Sequence, residues 1–341
     1  MKKWTAAAAG LLLMLAACGN EENEAADTKK AADDTLTVYT TIYPLQYFTQ
    51  RIGGDTVKVE SMLPAGADEH TYEPTSKTIL DIAGADLFLY NGLQLEPFAD
   101  KVTETLSSED VHVVNVGEQV DLDSAHDHGT EEHSGESEEA AEEQNHESEE
   151  AAEEHSHESE DGHNHSGVDP HIWLDPLLAE QMAEIVKEEL VELNPDEEAL
   201  YTKNYEALTA ELEQLDEDFH AMADTAAHKE ILVSHAAYGY WEKSYGIEQL
   251  SVAGISSTDE PSQKELKDLA DTAKEHNIHY MIFEQNVTPK IAKVIQDEIG
   301  ADSLRLHNLA TLTEEDIEQK QDYMSIMKQN IETLKTAMND K

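Results

Sequence analysis

The sequence predicts an α/β protein of two lobes, each with a parallel sheet flanked by helices, joined by a long rigid helix. Three observations support this prediction. The chain has 341 residues, which is more than one domain usually holds. Short apolar strands alternate with helical patterns in both halves of the chain, as is typical of parallel sheets covered on both faces. The helical pattern over 195–224 is longer than most globular helices, so it could join two lobes as a stiff rod.

The first 17 residues predict a signal peptide, because Lys2 and Lys3 precede an apolar stretch that is too short to span a bilayer. Leu15-Ala16-Ala17-Cys18 resembles a bacterial lipobox, so we expect cleavage before Cys18 and a lipid on its sulfur. A chance cysteine in an ordinary signal is the alternative. Residues 18–35 then predict a lipidated N-terminus and flexible tether, since they are charged and Ala-rich without an amphipathic pattern. Cys18 is the only cysteine, so any metal must be bound through nitrogen and oxygen.

The N-terminal lobe is expected over 36–194, where apolar runs alternate with helical spacing. We predict strands at 36–41, 57–63, 87–90 and 111–116, and helices at 45–52, 75–85, 96–106 and 177–193. Residues 121–166 interrupt this rhythm with 18 Asp and Glu, neither Lys nor Arg, and almost no large apolar side chain. Such a segment cannot offset its ordering entropy, so we predict a disordered surface loop.

The linking helix is predicted over 195–224 and the C-terminal lobe over 225–341. A coiled coil is the alternative for the linking helix, but its heptads are not sustained and its surroundings are α/β. The second lobe repeats the plan of the first, which predicts two similar lobes facing each other across a cleft. We expect strands at 230–233, 247–252, 280–283 and 304–306, and helices at 238–245, 261–276, 289–300 and 314–338.

The formal net charge of −52 argues against nucleic acid as a partner and favours divalent cations. So acidic a surface repels phosphate backbones, which makes nucleic acid an improbable partner. The same surface attracts divalent cations.

Four candidate metal ligands lie at or near the ends of predicted strands, where parallel sheets bind their ligands. They are His70, His171, His235 and Glu284, two from each half of the chain. Three of them also have an ordinary structural explanation: His70 as a surface residue, His235 as a core histidine and Glu284 as a helix cap. Three imidazoles and one carboxylate suit Zn²⁺ better than Mg²⁺ or Ca²⁺, while Mn²⁺ remains an alternative.

Two further groups of residues are expected to assist this site. Asp169 and Asp175 flank His171, and we expect them to hold its loop and to fix the tautomer of its ring. The acidic loop contains histidines in pairs spaced by two, which predicts loose, auxiliary zinc binding; incidental histidines in a solvated linker are the alternative. The auxiliary histidines are His126, His128, His133, His146, His155, His157, His163 and His165.

Four stretches carry a resemblance to a known family: 70–74 (HTYEP), 169–176 (DPHIWLDP), 233–240 (VSHAAYGY), and Glu284 with 288–290 (TPK) behind it. They resemble the zinc-binding lipoproteins of bacterial ABC importers, the ZnuA/AdcA group within the cluster A-I metal receptors. The resemblance implies two α/β lobes joined by a long helix, with a metal held between them. Manganese-binding relatives carry Glu at the third ligand and Asp at the fourth, so His235 and Glu284 favour zinc.

The resemblance implies a monomeric receptor, not an enzyme, on the outer face of the bacterial cell membrane. It is expected to be anchored there by the lipid on Cys18, to capture Zn²⁺, and to deliver it to a permease driven by a cytoplasmic ATPase. A manganese receptor of the same family is the first alternative. A surface zinc hydrolase is disfavoured because the chain lacks a His-Glu-x-x-His pattern, and nothing in the sequence is specific for an adhesin.

Overall fold

The computed structural model describes residues 35–123, 168–286 and 288–339. The predicted signal peptide, the lipidation site at Cys18 and nearly all of the tether lie outside the described residues. So does the acidic loop beyond Asp123, together with all eight auxiliary histidines. The predictions made for these segments therefore stay predictions.

Within the described residues, eight strands form two parallel sheets of four strands each. The strand order is β2-β1-β3-β4 in the first sheet and β6-β5-β7-β8 in the second, so the predicted repeat of one plan is confirmed. The strands are β1 (Leu36–Thr40), β2 (Val57–Ser61), β3 (Leu87–Tyr90), β4 (His112–Asn115), β5 (Glu230–His235), β6 (Glu248–Ala253), β7 (Tyr280–Glu284) and β8 (Asp302–Leu306).

Helices connect the strands and cover the sheets, as the alternating pattern predicts. Their lengths follow the apolar spacing of the sequence, and most of their ends lie within a few residues of the predicted ones. The helices are α1 (Tyr43–Gly53), α2 (Ser76–Ala83), α3 (Ala99–Leu106), α4 (Pro176–Leu193), α5 (Glu198–Thr225), α6 (Gly239–Tyr245), α7 (Gln263–Glu275), α8 (Lys290–Ile299), α9 (Glu314–Gln319) and α10 (Tyr323–Asn339).

The long helix α5 has 28 residues and follows a 3₁₀ turn at Pro195–Glu197. Its buried side chains include Leu208, Leu212, Leu215 and Phe219, a spacing of three and four that gives one continuous apolar face. The helix packs against α1, α4 and α10. Of these helices, α1 packs against strands of the first sheet and α10 against strands of the second. The long helix therefore contacts both lobes, as a connecting helix must.

The prediction of one closing helix over 314–338 was wrong, because the structure has two helices there. Lys320 ends α9 in the left-handed conformation, with φ of 55°. The side chain of Asp322 then accepts a hydrogen bond from the backbone N–H of Ser325, which starts α10 afresh. Ile317 and Met324, apolar residues on either side of the break, are seven positions apart and so fit one continuous helix, which is why periodicity alone could not reveal the break.

Across the three described segments, the helices lack the combination of length and apolar character that a bilayer-spanning helix requires.

Candidate metal centre

His235 and Glu284 lie at the carboxyl edge of the second sheet, at the ends of β5 and β7. The strand order changes direction between these two neighbouring strands, and such a switch point is where open parallel sheets leave a crevice. Both side chains are buried, at 2% and 5% exposure. Glu284 contacts Nδ1 of His235, so Nε2 is the nitrogen that His235 can offer to a metal.

The matching switch point of the first sheet lies between β1 and β3, and it supports the loop that carries His171. The buried Glu96 carboxylate accepts hydrogen bonds from Thr41 Oγ1 at 2.6 Å and from the backbone N–H of Asn91 at 2.9 Å. The Asn91 side chain in turn donates to the carbonyl of Pro170 at 3.0 Å. A satisfied buried carboxylate thus fixes the residue before His171.

The same loop is also tied to the second half of the chain through buried aromatic side chains. The Trp173 indole donates to Asn308 O at 2.7 Å, and Trp241 donates to Leu174 O at 2.7 Å. Both rings are fully buried. His171, which is itself 0% exposed, therefore belongs to a loop clamped between the two lobes.

The three predicted histidines come together in this structure. Their nitrogen ligand atoms all lie within 4.8 Å of one another, and Nε2 of His171 lies 3.3 Å from Nε2 of His235. The His70 ring centre lies 5.4 Å from that of His171 and 5.7 Å from that of His235. Converging nitrogens that surround one point are the arrangement that a zinc ion needs. Their role as ligands, and that of Glu284, stays a prediction.

The imidazole of His70 is uncharged at neutral pH, as a metal ligand must be. Burial lowers the pKa of its imidazole to about 3, and the neighbouring His171 and His235 add to the effect. Its side chain is 6% exposed, and Nε2 has no hydrogen-bond partner among the described residues. A buried polar atom without a partner is costly, and a metal ion would satisfy it.

Glu284 and His235 form a buried ion pair. Burial alone would lower the pKa of His235, but the charge of Glu284 and its contact with Nδ1 outweigh burial and raise that pKa above its ordinary value. For Glu284, burial alone would raise the pKa, but His235 outweighs it and leaves the carboxyl pKa below its ordinary value. Glu284 is therefore an anion at neutral pH.

Glu69 is a second buried carboxylate at this site, and the sequence interpretation missed it. Its side chain is 2% exposed, and Oε1 lies 3.9 Å from Nε2 of His70. The Asn308 amide bridges the two carboxylates, donating to Glu69 Oε1 at 3.3 Å and to Glu284 Oε2 at 3.0 Å. Burial, with Glu284 second, raises the pKa of Glu69 to about 8, so it is mostly protonated at neutral pH.

Asp169 and Asp175 both hold the loop of His171 as expected, but of the two only Asp169 contacts the ring of His171. Oδ1 of Asp169 accepts from the backbone N–H of His171 at 3.0 Å and contacts ring Nδ1 at 2.8 Å, which turns Nε2 toward the cluster. Asp175 instead accepts from the N–H groups of Leu177 and Leu178 and so caps α4. Asp175 holds the far end of the loop and does not set the tautomer of His171.

Gly239 provides the space for the Asp169 carboxylate. A Cβ atom at position 239 would lie 2.6 Å from Oδ2 of Asp169, and the hydroxyl of Tyr240 donates to the Asp169 carbonyl at 2.8 Å. The Gly-Tyr pair of the second lobe thus positions an aspartate of the first. This explains two residues of the 233–240 stretch that are not metal ligands.

Asp169→Ala is expected to weaken zinc binding by about 10- to 100-fold, because it frees the ring of His171. Gly239→Ala should have a similar but smaller effect, since the new methyl group displaces the carboxylate from the ring. Zinc affinities measured by competition with a chelator would check both. Wild-type affinity in both variants would show that Asp169 does not orient the ring.

A second group of possible metal ligands lies on the surface of the first lobe, formed by His112, Glu189 and Glu192. His112 Nε2 lies 2.7 Å from Glu189 Oε2, and the His112 side chain is 39% exposed. An ordinary surface ion pair accounts for this contact. The buried cluster is therefore the candidate metal centre.

The fold and the buried imidazoles between its two sheets define a class, the two-lobed α/β substrate receptors. Within that class the chain belongs to the ZnuA family, described as "Zinc-uptake complex component A periplasmic", whose model matches residues 38–337. The ZnuA protein of a high-affinity zinc uptake system in Bacillus subtilis is 34% identical over 316 residues, covering 92% of both chains. The zinc-binding lipoprotein AdcA of Streptococcus pneumoniae is 32% identical, and the match covers 90% of this chain but only 56% of AdcA.

Two solved structures have the same fold. The zinc-bound ZnuA-like domain of Streptococcus pneumoniae AdcA matches with a TM-score of 0.66 and 28% identity, covering 90% of this chain and all of that domain. The laminin-binding protein Lmb of Streptococcus agalactiae, described as having adhesin and metal-transporting activity, matches with a TM-score of 0.70 and 27% identity, over 89% of this chain and all of Lmb. The predicted two-lobed architecture and the predicted family are confirmed.

Proposed function

We propose that this chain is the extracytoplasmic receptor of an ABC-type zinc importer and that it holds Zn²⁺ with His70, His171, His235 and Glu284. The single observation that carries the proposal is the convergence of three buried imidazoles within 4.8 Å, next to an anionic carboxylate. Membership of a zinc-uptake family supports the same cargo. The alternative of a manganese receptor fits less well, because Mn²⁺ prefers oxygen ligands.

The chemistry of the donor set favours capture over catalysis. A zinc ion with four protein ligands has a filled tetrahedron, so no coordination position remains for an activated water. Glu284 contacts Nδ1 of His235 in the present geometry, so its role as fourth ligand requires the carboxylate to turn away from that nitrogen. The site thus binds and releases an ion and does not hydrolyse a substrate.

Zinc titration of the mature protein, prepared free of metal, tests this proposal. We expect one tightly bound zinc per chain that survives gel filtration, and much weaker competition by Mn²⁺. Calorimetry gives the stoichiometry, and elemental analysis of the recovered protein gives the retained metal. A protein that emerges from gel filtration without zinc contradicts the proposal.

The proposed delivery route places the receptor on the outer face of the cell membrane. Cleavage before Cys18 and lipid on its sulfur would anchor the chain there. The partners are then a membrane permease and its cytoplasmic ATPase, and the receptor acts as a monomer. If the lipid on Cys18 is the anchor, the Cys18→Ala variant should move from the membrane fraction of the cells to the soluble fraction.

The histidines of the acidic loop are proposed to collect zinc loosely for the tight site. Deleting 124–166 is expected to leave the tight site unchanged, because the described residues of the cluster lie outside that segment. The same deletion should lower the total zinc bound per molecule at high zinc concentration. Calorimetry on the deletion variant measures both the affinity of the tight site and the total number of zinc ions bound. An unchanged total number of bound zinc ions would contradict the collector role.

A further inference from the structure

Residues 64–70, here called the His70 segment, run along the carboxyl edge of the second sheet although they belong to the first lobe. Several hydrogen bonds join this segment to loops of the second lobe, and three of them have a donor–acceptor distance of 2.9 Å. Gly66 N donates to Leu312 O at 2.9 Å, Thr311 Oγ1 donates to Ala67 O at 2.9 Å, and Ser257 Oγ donates to Asp68 Oδ2 at 2.9 Å. His70 is thus presented by a segment that is held from across the cleft.

Asp68 connects this interlobe contact directly to His70. While Oδ2 accepts from Ser257, Oδ1 accepts from the backbone N–H of His70 at 2.9 Å. The carbonyl of Asp68 also accepts from the N–H groups of Thr71 and Tyr72, which closes a tight turn around His70. One carboxylate therefore fixes the backbone of His70 and is itself oriented by a hydroxyl of the other lobe.

The His70 segment is partly accessible to solvent, although Glu69 within it is buried. Residues 64–66 are exposed, and Asp68 and Ser257 are half-buried. Trp173, by contrast, lies beside His171, and its ring is fully buried and hydrogen-bonded to the second lobe. Releasing an ion past the His70 segment requires breaking hydrogen bonds, of which those made by Ser257 and Thr311 are only partly buried. Release past Trp173 requires unpacking the core.

We propose that Asp68 is a positioning residue for His70, and that its hydrogen bond with Ser257 controls how fast a bound zinc ion leaves the site. The inference rests on the proposed function, because it takes His70 as a zinc ligand. When Ser257 releases Asp68, the turn around His70 loses the hydrogen bond from the second lobe that orients the Asp68 carboxylate. His70 then swings away from the ion more often, and dissociation becomes faster.

The test measures zinc dissociation by stopped flow, after gel filtration has removed loosely held metal, with a chromogenic chelator in excess. Ser257→Ala is expected to raise the dissociation rate about 10-fold, the effect of losing one hydrogen bond to a charged group. Asp68→Ala removes both hydrogen bonds and should act more strongly. Ser257→Thr keeps the hydroxyl and should restore the wild-type rate.

Ser256→Ala is the matched control, because Ser256 lies in the same loop and its hydroxyl contacts Thr258 instead of Asp68. The melting temperature of each zinc-free variant shows whether the loop or the whole fold is loosened. Equal rates for Ser257→Ala and wild type, or equal acceleration by Ser256→Ala, would overturn the inference. A wild-type chain that retains no zinc would instead overturn the proposed function itself.

Discussion

Replacing any one of His70, His171 and His235 by Ala is expected to lower zinc affinity by at least about 100-fold. Zinc at protein sites with four ligands contributes roughly 10–16 kcal/mol, so one ligand is worth about 3 kcal/mol. The loss has two physical sources. The ion loses a nitrogen donor, and the remaining buried imidazoles lose the partner that compensates their desolvation.

The three variants should be compared with His276→Ala, which removes a histidine of the second lobe that is 40% exposed and pairs with Glu230. Competition with a tight chelator reports only the high-affinity site, so the auxiliary histidines do not interfere. The melting temperatures of the zinc-free variants show whether a loss of affinity comes from the missing ligand or from a destabilised fold. If all three variants keep the affinity of the His276→Ala control, these histidines are not the ligands.

Glu284→Gln is expected to cause the second largest loss of affinity at neutral pH, about 10- to 100-fold. Glu284 is the anion of the site, whereas the raised pKa of Glu69, about 8, keeps that carboxyl mostly protonated. Glu69→Gln replaces a neutral acid by a neutral amide and is therefore the matched control. A larger loss for Glu69→Gln than for Glu284→Gln would assign the fourth ligand to Glu69.

The pH dependence of the Glu284→Gln variant gives an independent check. In the wild type the raised pKa of His235 lets a proton compete with zinc, so affinity falls as the pH drops through that pKa. Without the anion of Glu284 the pKa of His235 falls, so the decline starts at a lower pH. The difference in affinity between the two proteins should narrow on acidification. A constant difference from pH 7.5 to pH 5 would show that Glu284 does not act on His235.

The sequence predicted the two parallel sheets because alternating apolar strands and amphipathic helices leave few other arrangements. It also predicted the convergence of His70, His171 and His235, since polar residues after parallel strands meet at one edge. The break at Lys320 escaped prediction because the apolar period continues through it. A single left-handed residue changes the chain direction without changing the pattern of side chains.

Glu69 escaped prediction for a different reason. A glutamate beside a histidine in a turn is usually solvated, and nothing in its immediate neighbours indicates burial. Its burial depends on Asn308, which is 239 positions away along the chain. The same applies to Gly239 and Asp169, whose close fit exists only after the two lobes have packed.

The helix α5 has a mechanical consequence. Near its start Tyr201 shares a hydrogen bond with Thr56 of the first lobe, and further along Asp216 accepts one from Tyr245 of the second. A helix that is hydrogen-bonded to both lobes resists bending of one lobe relative to the other. Such bending would have to disrupt the packing of the buried leucines that lie between the two hydrogen bonds. We therefore expect movement between the lobes to arise in the short loops at the sheet edges, where the candidate metal centre lies.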